Sequence, residues 1–265
     1  MLRNCMGLDI FSAALLGIIQ GFTEWLPISS SGHLVVAQSL LGIAAPPEFD
    51  IAIMAGTTLA LVIYFQERIG ALLRGLLRRE RKSIDYSVMI ALAGVFTAII
   101  GFAGKSFFKG LFAKPVIVSL LIAVTGIFLL LASRAKEGGV LDLKKASFIG
   151  IAQGIAVAPG ISRSGSTIGT AVLLGVKPKE AAVFSFLIGA PAMAIASTIE
   201  FLGTEGGGIL LPELVVGSIT AFIAGYVGIG FFMKILEKGK LEWFGYYCVL
   251  AGLAFAAALS AYSPN

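Results

Sequence analysis

Six long apolar stretches dominate the chain, over residues 50–66, 86–104, 115–133, 180–202, 212–234 and 243–262. Each approaches the roughly 20 residues a helix needs to cross a bilayer. Two further apolar segments, 8–44 and 143–176, are broken in the middle by Pro, Gly and Ser. Within a membrane such a break is tolerated only where protein or water satisfies the freed backbone groups. Both segments are therefore read as re-entrant helix–turn–helix hairpins.

The two broken segments are copies of each other. Residues Gly17 to His33 recur without gaps 133 positions later, as Gly150 to Ser166. Gly17, Ile18, Gln20, Gly21, Ile28, Ser29, Ser31 and Gly32 match their counterparts. Each copy is then one hairpin followed by three spans, and three is odd, so the second copy enters the membrane upside down. The predicted fold is an all-α multispanning membrane protein of two inverted repeats. Each repeat is a re-entrant helical hairpin plus three transmembrane helices. Residues 1–265 form one membrane domain, with repeat one at about 8–133 and repeat two at about 143–262. Gly17-x-x-x-Gly21 and Gly150-x-x-x-Gly154 supply small residues at a spacing that lets helices approach closely in lipid.

Composition supports the membrane reading. Of 265 residues, 57% are hydrophobic and 13% charged, and the mean hydropathy is +0.94. That is too little charge to cover a soluble domain. The net charge of +5 does not point to nucleic acid, because the basic residues lie in loops between apolar spans. Arg3 followed by an apolar run imitates a signal peptide, but Asp9 interrupts the run, and the segment is read as mature structure. Cys5 and Cys248 are far apart and have no metal-ligand spacing, so free thiols are expected.

Charge also orients the spans. Arg68, Arg74, Arg78, Arg79, Arg81 and Lys82 fall on one side. Arg134, Lys136, Lys144, Lys145, Lys177, Lys179, Lys234, Lys238 and Lys240 fall on the same side, against Arg3, Lys105, Lys109 and Lys114 on the other. The positive-inside rule makes the first side cytoplasmic. The first hairpin then enters from outside, the second from the cytoplasm, and their tips meet near the midplane. Trp243, Tyr246 and Tyr247 at a span end read as an interfacial aromatic cluster.

Where the copies differ, they differ in chemistry: Glu24 faces Val157, Ser30 faces Arg163, and His33 faces Ser166. An ionisable group inside a membrane segment is costly and marks function by default. Gln20 and Glu24 share a helix face, and Ser30 and His33 do so if the second hairpin helix begins near Ser29. One of Ser29, Ser30 and Ser31 caps that helix. In the second copy, Gly160 permits a tight turn. A helix starting near Ser164 directs its N–H groups and positive dipole end at that turn, and Arg163 adds a fork that fits phosphate oxygens. No P-loop run is present. The set suits phosphoryl transfer: Arg163 and the helix N-termini neutralise charge, and Ser30 or His33 is the nucleophile. Glu24 orients His33, acts as a base, or holds a divalent ion with Gln20. A structural alternative is that Glu24 pairs with His33 or Arg163 only to join the hairpins.

Gln20-x-x-x-Glu24, Trp-Leu-Pro-Ile-Ser-Ser-Ser-Gly-His33 and Pro159-Gly-Ile-Ser-Arg-Ser-Gly-Ser-Thr167 together resemble the undecaprenyl-diphosphate phosphatase family of the bacitracin-resistance type. The resemblance covers essentially the whole chain. It implies interlocked inverted repeats and hydrolysis of undecaprenyl diphosphate to the monophosphate and inorganic phosphate. It implies dependence on a divalent cation, Mg2+ or Ca2+, for which the residues themselves offer Gln20 and Glu24 as candidate ligands. Glu24, Ser30, His33 and Arg163 carry over as the catalytic set; Ser29, Gly160, Ser162, Ser164 and Thr167 form the expected diphosphate cradle. The expected partners are the polyprenyl diphosphate and membrane lipids, not nucleic acid, with a homodimer also open. The expected location is a prokaryotic cell (inner) membrane, with the site reached from the outer face. Met54 and Val183 depart from the family, whose members often carry a polar and a charged residue there. The rival reading is a transporter or flippase of a phosphate-bearing lipid, with Glu24 and His33 as a proton-coupling pair.

Overall fold

The computed structural model describes residues 7–203 and 211–262. Arg3 and Cys5 lie outside them. The described residues form twelve helices and no strand. The first hairpin is α1 (Ile10–Trp25) and α2 (Ser30–Leu41), followed by α3 (Pro47–Tyr64), α4 (Gln66–Leu77), α5 (Arg81–Ala103), α6 (Lys105–Leu111) and α7 (Pro115–Ala132). The second hairpin is α8 (Leu143–Ile155) and α9 (Arg163–Leu173), followed by α10 (Pro178–Gly203), α11 (Leu211–Glu237) and α12 (Glu242–Tyr262). Helices α3, α5, α7, α10, α11 and α12 are long and apolar enough to cross a membrane, and they overlie the six predicted stretches.

Local chemistry sets the breaks. Asp9 caps α1, its Oδ1 accepting the Ser12 N–H at 2.7 Å, and Asp142 caps α8 through the Lys145 N–H at 2.8 Å. Pro27 follows α1 and cannot continue it. Ser29 then caps α2, its Oγ accepting the Gly32 N–H. Its repeat counterpart Ser162 caps α9 through the Gly165 N–H. Ser29 holds φ 70°, a region a non-glycine residue adopts at a cost. The second turn instead uses Gly160 at φ +91°, where a Cβ would also collide with the Val118 carbonyl.

Each hairpin leans on the other half of the chain. Helix α1 packs along α11, and α8 packs along α5. The small residues explain the closeness: a methyl on Gly17 would fall on the Gly217 carbonyl, and one on Gly150 would fall on the Ala93 carbonyl. Helix α7 packs lengthwise on α12 and also touches α2 and α9, so it forms a wall behind both hairpin turns. Between the turns and α10 lies an aromatic core. Trp25 meets Phe186 edge-on at 5.3 Å, and Phe232 meets Phe244 at 5.1 Å. Apolar side chains such as Phe11, Leu131, Ile223 and Leu250 are exposed on the outside, the surface a bilayer would cover.

Two elements were not read from the pattern. Helices α4 and α6 have 12 and 7 residues. Both are too short to span, and both carry charge, with Arg68 and Arg74 in α4 and Lys105 and Lys109 in α6.

Candidate functional site

Both helix starts converge on one carboxylate. Ser30 is the first residue of α2 and Arg163 the first of α9; in the repeat they occupy the same position. Ser30 Oγ donates to Glu24 Oε2 at 2.5 Å, and Arg163 Nη2 donates to Glu24 Oε1 at 2.5 Å. Gln20, one turn back on α1, donates its Nε2 to Glu24 Oε2 at 3.0 Å. Glu24 and Arg163 side chains are 9% and 14% exposed, so the pair is shielded without being sealed. A charge pair this far from water is held only with good geometry and further hydrogen bonds, and Ser30 and Gln20 supply those bonds.

The guanidinium is positioned from three sides. Its Cζ lies 4.8 Å from the Trp25 ring centre, a cation–π contact. Trp25 is itself pinned by its Nε1 donating to the Thr57 carbonyl at 3.1 Å. Arg163 Nη2 also lies 2.9 Å from Met193 Sδ. Arg163 Nη1 is buried without a hydrogen-bond partner. It lies where a Cβ on Gly189 would fall, so the absence of a side chain there makes room for the fork. A buried donor without a partner is expensive, and a phosphate oxygen is the partner that a guanidinium fits.

The remaining hydroxyls of the expected cradle serve the turns. Ser164 Oγ donates to the Leu26 carbonyl at 2.8 Å, tying the second turn to the first. Ser162 Oγ caps α9 and lies 3.3 Å from Ser164 Oγ, while the Ser162 N–H donates to Thr125 Oγ1 on α7 at 3.1 Å. Thr167 Oγ1 lies 2.5 Å from Ser185 Oγ on α10 and 2.9 Å from the Arg163 carbonyl. Ser29 is the α2 cap, and Gly160 is the positive-φ turn. These residues shape and anchor the meeting point. Helix geometry leaves the first N–H groups of α2 and α9 without intrahelical partners, and the caps take those of Gly32 and Gly165.

His33 is held apart from this cluster. Its Nδ1 lies 2.8 Å from the Ser29 carbonyl and its Nε2 lies 2.9 Å from the Tyr247 hydroxyl. Thus the structure joins Gln20, Glu24, Ser30 and Arg163 directly, and it places His33 one helical turn beyond Ser30 with partners of its own. Tyr247, expected in an interfacial cluster, turns its hydroxyl inward. Gly189, Met193, Trp25, Thr125 and Tyr247 all bear on the site, and none of the motif arguments found their contacts. Gly189 and the mid-helix Pro191 were the available signal, a break inside an otherwise apolar span. Met54 accepts a contact from Ser197 Oγ at 3.1 Å.

Among the described residues no three His, Cys, Asp or Glu side chains are grouped to hold a metal ion. Glu24 is the one carboxylate here, and Arg163 already sits on one of its oxygens. This donor set still fits a magnesium-type ion, which is commonly held by one or two carboxylates plus substrate phosphates. Glu24 is the group that would hold it, joined by the amide oxygen of Gln20 once that side chain turns over from its present Nε2 bond to the carboxylate.

Residues 13–254 match the model of a family described as Bacitracin resistance protein BacA. An undecaprenyl-diphosphatase of Korarchaeum cryptofilum is 37% identical over 265 residues, covering 95% of this chain and 100% of its own length. An undecaprenyl-diphosphatase of Carboxydothermus hydrogenoformans is 38% identical over 258 residues, covering 93% and 96%. An undecaprenyl-diphosphatase of Syntrophotalea carbinolica is 37% identical over 263 residues, covering 96% and 100%.

Proposed function

The chain belongs to the Bacitracin resistance protein BacA family, and from that premise we propose that it is a membrane phosphatase converting undecaprenyl diphosphate to the monophosphate and inorganic phosphate. The observation that carries the catalytic assignment is the convergence of Ser30 and Arg163 on Glu24. A carboxylate, a hydroxyl bonded to it and a guanidinium with a spare buried donor are the parts phosphoryl transfer requires.

In this mechanism the terminal phosphate binds between the starts of α2 and α9. Arg163 Nη1 and the helix N–H groups take its oxygens and oppose the negative charge. Ser30 Oγ attacks the terminal phosphorus as Glu24 takes the hydroxyl proton. The bond to the bridging oxygen breaks, and the lipid monophosphate leaves with that oxygen and its electron pair. Water then attacks the phosphoserine, its protons leaving with the departing phosphate, and Ser30 recovers its own proton from Glu24. Glu24 also keeps Arg163 oriented, and Trp25 fixes the plane of the guanidinium. A divalent cation, held by Glu24 and Gln20, would supply further neutralisation of phosphate charge. Lipid-exposed apolar side chains around the fold suit a substrate whose tail stays in the bilayer.

The same proposal includes a single membrane domain built from two inverted repeats. Matched caps at Ser29 and Ser162 and the reciprocal packing of α1 on α11 and α8 on α5 support it. The location proposed is a cell membrane with the side that carries the fifteen basic residues cytoplasmic, and with the site opening outward through the first hairpin. Phosphate release from undecaprenyl diphosphate by the purified protein in detergent tests the reaction, because transport has no meaning there.

A further inference from the structure

Helix α4 follows α3 with a single residue between them. Phe65 is the C-cap of one and the N-cap of the other. Its N–H donates to the Leu61 carbonyl and its carbonyl accepts the Ile69 N–H, both at 2.9 Å. Helix α4 therefore starts where a span ends. Its apolar residues Ile69, Leu72, Leu73, Leu76 and Leu77 recur at i, i+3, i+4, i+7 and i+8, the stripe of an amphipathic helix. On a soluble protein such a stripe faces the core. Here only part of it does: Ile69 packs against the core, whereas Leu73 is 55% and Leu77 86% exposed.

Contacts with α5 fix which way that edge points. Gly75 lies against α5, where a Cβ would fall on Ser83 Oγ, and the Arg68 guanidinium lies over the Tyr86 ring at 6.0 Å. At about 100° per residue, Leu73 and Leu77 are on the far side of the helix from Gly75. Basic residues border them: Arg74 follows Leu73, and Arg78 follows Leu77 one turn on. Residues 66–82 carry six basic side chains against two acidic ones. Among the described residues, none of Arg74, Arg78 and Arg79 has a carboxylate at ion-pair distance.

We propose that α4 is an interfacial helix that binds anionic phospholipid, with Leu73 and Leu77 among the acyl chains and Arg74, Arg78 and Arg79 on the headgroup phosphates. Two observations select this occupant. Direct continuation from α3 holds α4 at the end of a span, so its bare leucines meet the boundary of headgroups and acyl chains. The uncompensated arginines then face a surface whose phosphates they fit, and an anionic leaflet attracts such a cluster where a zwitterionic one does not. Long arginine stems let the charge reach the headgroups while the leucine edge is immersed. The inference does not depend on the reaction assigned to Glu24, Ser30 and Arg163.

The test places a reporter on the exposed edge, Leu77→Trp, in the full chain. The protein is reconstituted in vesicles of equal parts phosphatidylcholine and phosphatidylglycerol, with brominated acyl chains on one lipid or the other. Bromine quenches a tryptophan that it touches, and the signal of Trp25 and Trp243 is subtracted with the unsubstituted protein. The added emission should be quenched, and at least about twofold more by brominated phosphatidylglycerol than by brominated phosphatidylcholine. Replacing Arg74, Arg78 and Arg79 together by Gln should abolish that preference and leave quenching by both lipids. Leu73→Trp, on the same edge, is the second reporter. Emission that neither lipid quenches overturns the interfacial placement, whether it is red-shifted by water or blue-shifted by a second copy of the chain. Equal quenching by the two lipids, or a preference that survives the triple substitution, overturns the binding of anionic headgroups by these arginines.

Discussion

Glu24 and Arg163, 139 residues apart in sequence, share an ion pair at the point where two hairpin turns meet. Neither hairpin contains both halves of the pair, so the site exists only when the two copies interlock. The pair also joins the hairpins mechanically, so the structural account of Glu24 and the proposed catalytic one can hold together.

Glu24→Gln removes the proposed base and leaves Arg163 buried without its counter-charge. Turnover should fall by at least about 100-fold, as for loss of a general base. Stability should fall by about 3–5 kcal/mol, as for breaking a buried pair. Thermal unfolding in detergent and phosphate release measure the two effects separately. The double variant Glu24→Gln with Arg163→Met should be less destabilised than the sum of the single variants, because the orphaned charge is gone.

Arg163→Lys keeps a positive charge beside Glu24 but replaces the planar fork with a point charge. The protein should stay folded, with kcat/KM reduced about 100-fold, the scale of a lost transition-state donor. Near-normal kcat/KM in this variant would remove the fork from phosphate recognition.

Ser30→Ala deletes the proposed nucleophile while leaving Glu24 bonded to Gln20 and Arg163. It should retain the fold and substrate binding, lose turnover, and fail to form a phosphoserine on mass analysis of rapidly quenched enzyme. Phosphoserine at position 30 in the wild type is the matching positive observation. Full activity in Ser30→Ala would return the nucleophile to His33 or water.

Gly17→Leu and Gly150→Leu test the interlocking itself. Each side chain would land on backbone of the partner helix, Gly217 or Ala93. Overpacking of this kind costs about 1–3 kcal/mol or more, so both variants should melt lower in detergent than wild type. Equal effects at the two positions would support the equivalence of the repeats.

Much of this was legible in the chain. The spans follow from apolar length, and the hairpins from Pro, Gly and Ser in the middle of apolar segments. Alignment of the copies marked Glu24, Ser30, His33 and Arg163 as the positions where chemistry had replaced symmetry. The sequence could not reveal which partner each residue takes. Ser30 and His33 are three apart on α2, yet Ser30 turns to Glu24 and His33 to Tyr247, a choice made by α12 packing on α7 and α2. Hydroxyls in the second motif looked available for phosphate, but Ser162, Ser164 and Thr167 are drawn into bonds with Gly165, Leu26 and Ser185. Satisfying a buried turn takes precedence over display. Gly189 and Pro191 leave a break in the pattern of α10, but a break does not say that the room it makes is for Arg163. Helices α4 and α6 escaped because charges dilute short apolar faces.

The most direct test of the account is phosphate release from undecaprenyl diphosphate by the purified protein in detergent, with added Mg2+ or Ca2+ and with a chelator, beside Arg163→Ala. The account predicts release by the wild type that the chelator suppresses and added cation restores, and release at background in Arg163→Ala. No release from folded wild-type protein under any cation condition would contradict the phosphatase assignment, and undiminished release in Arg163→Ala would contradict the site.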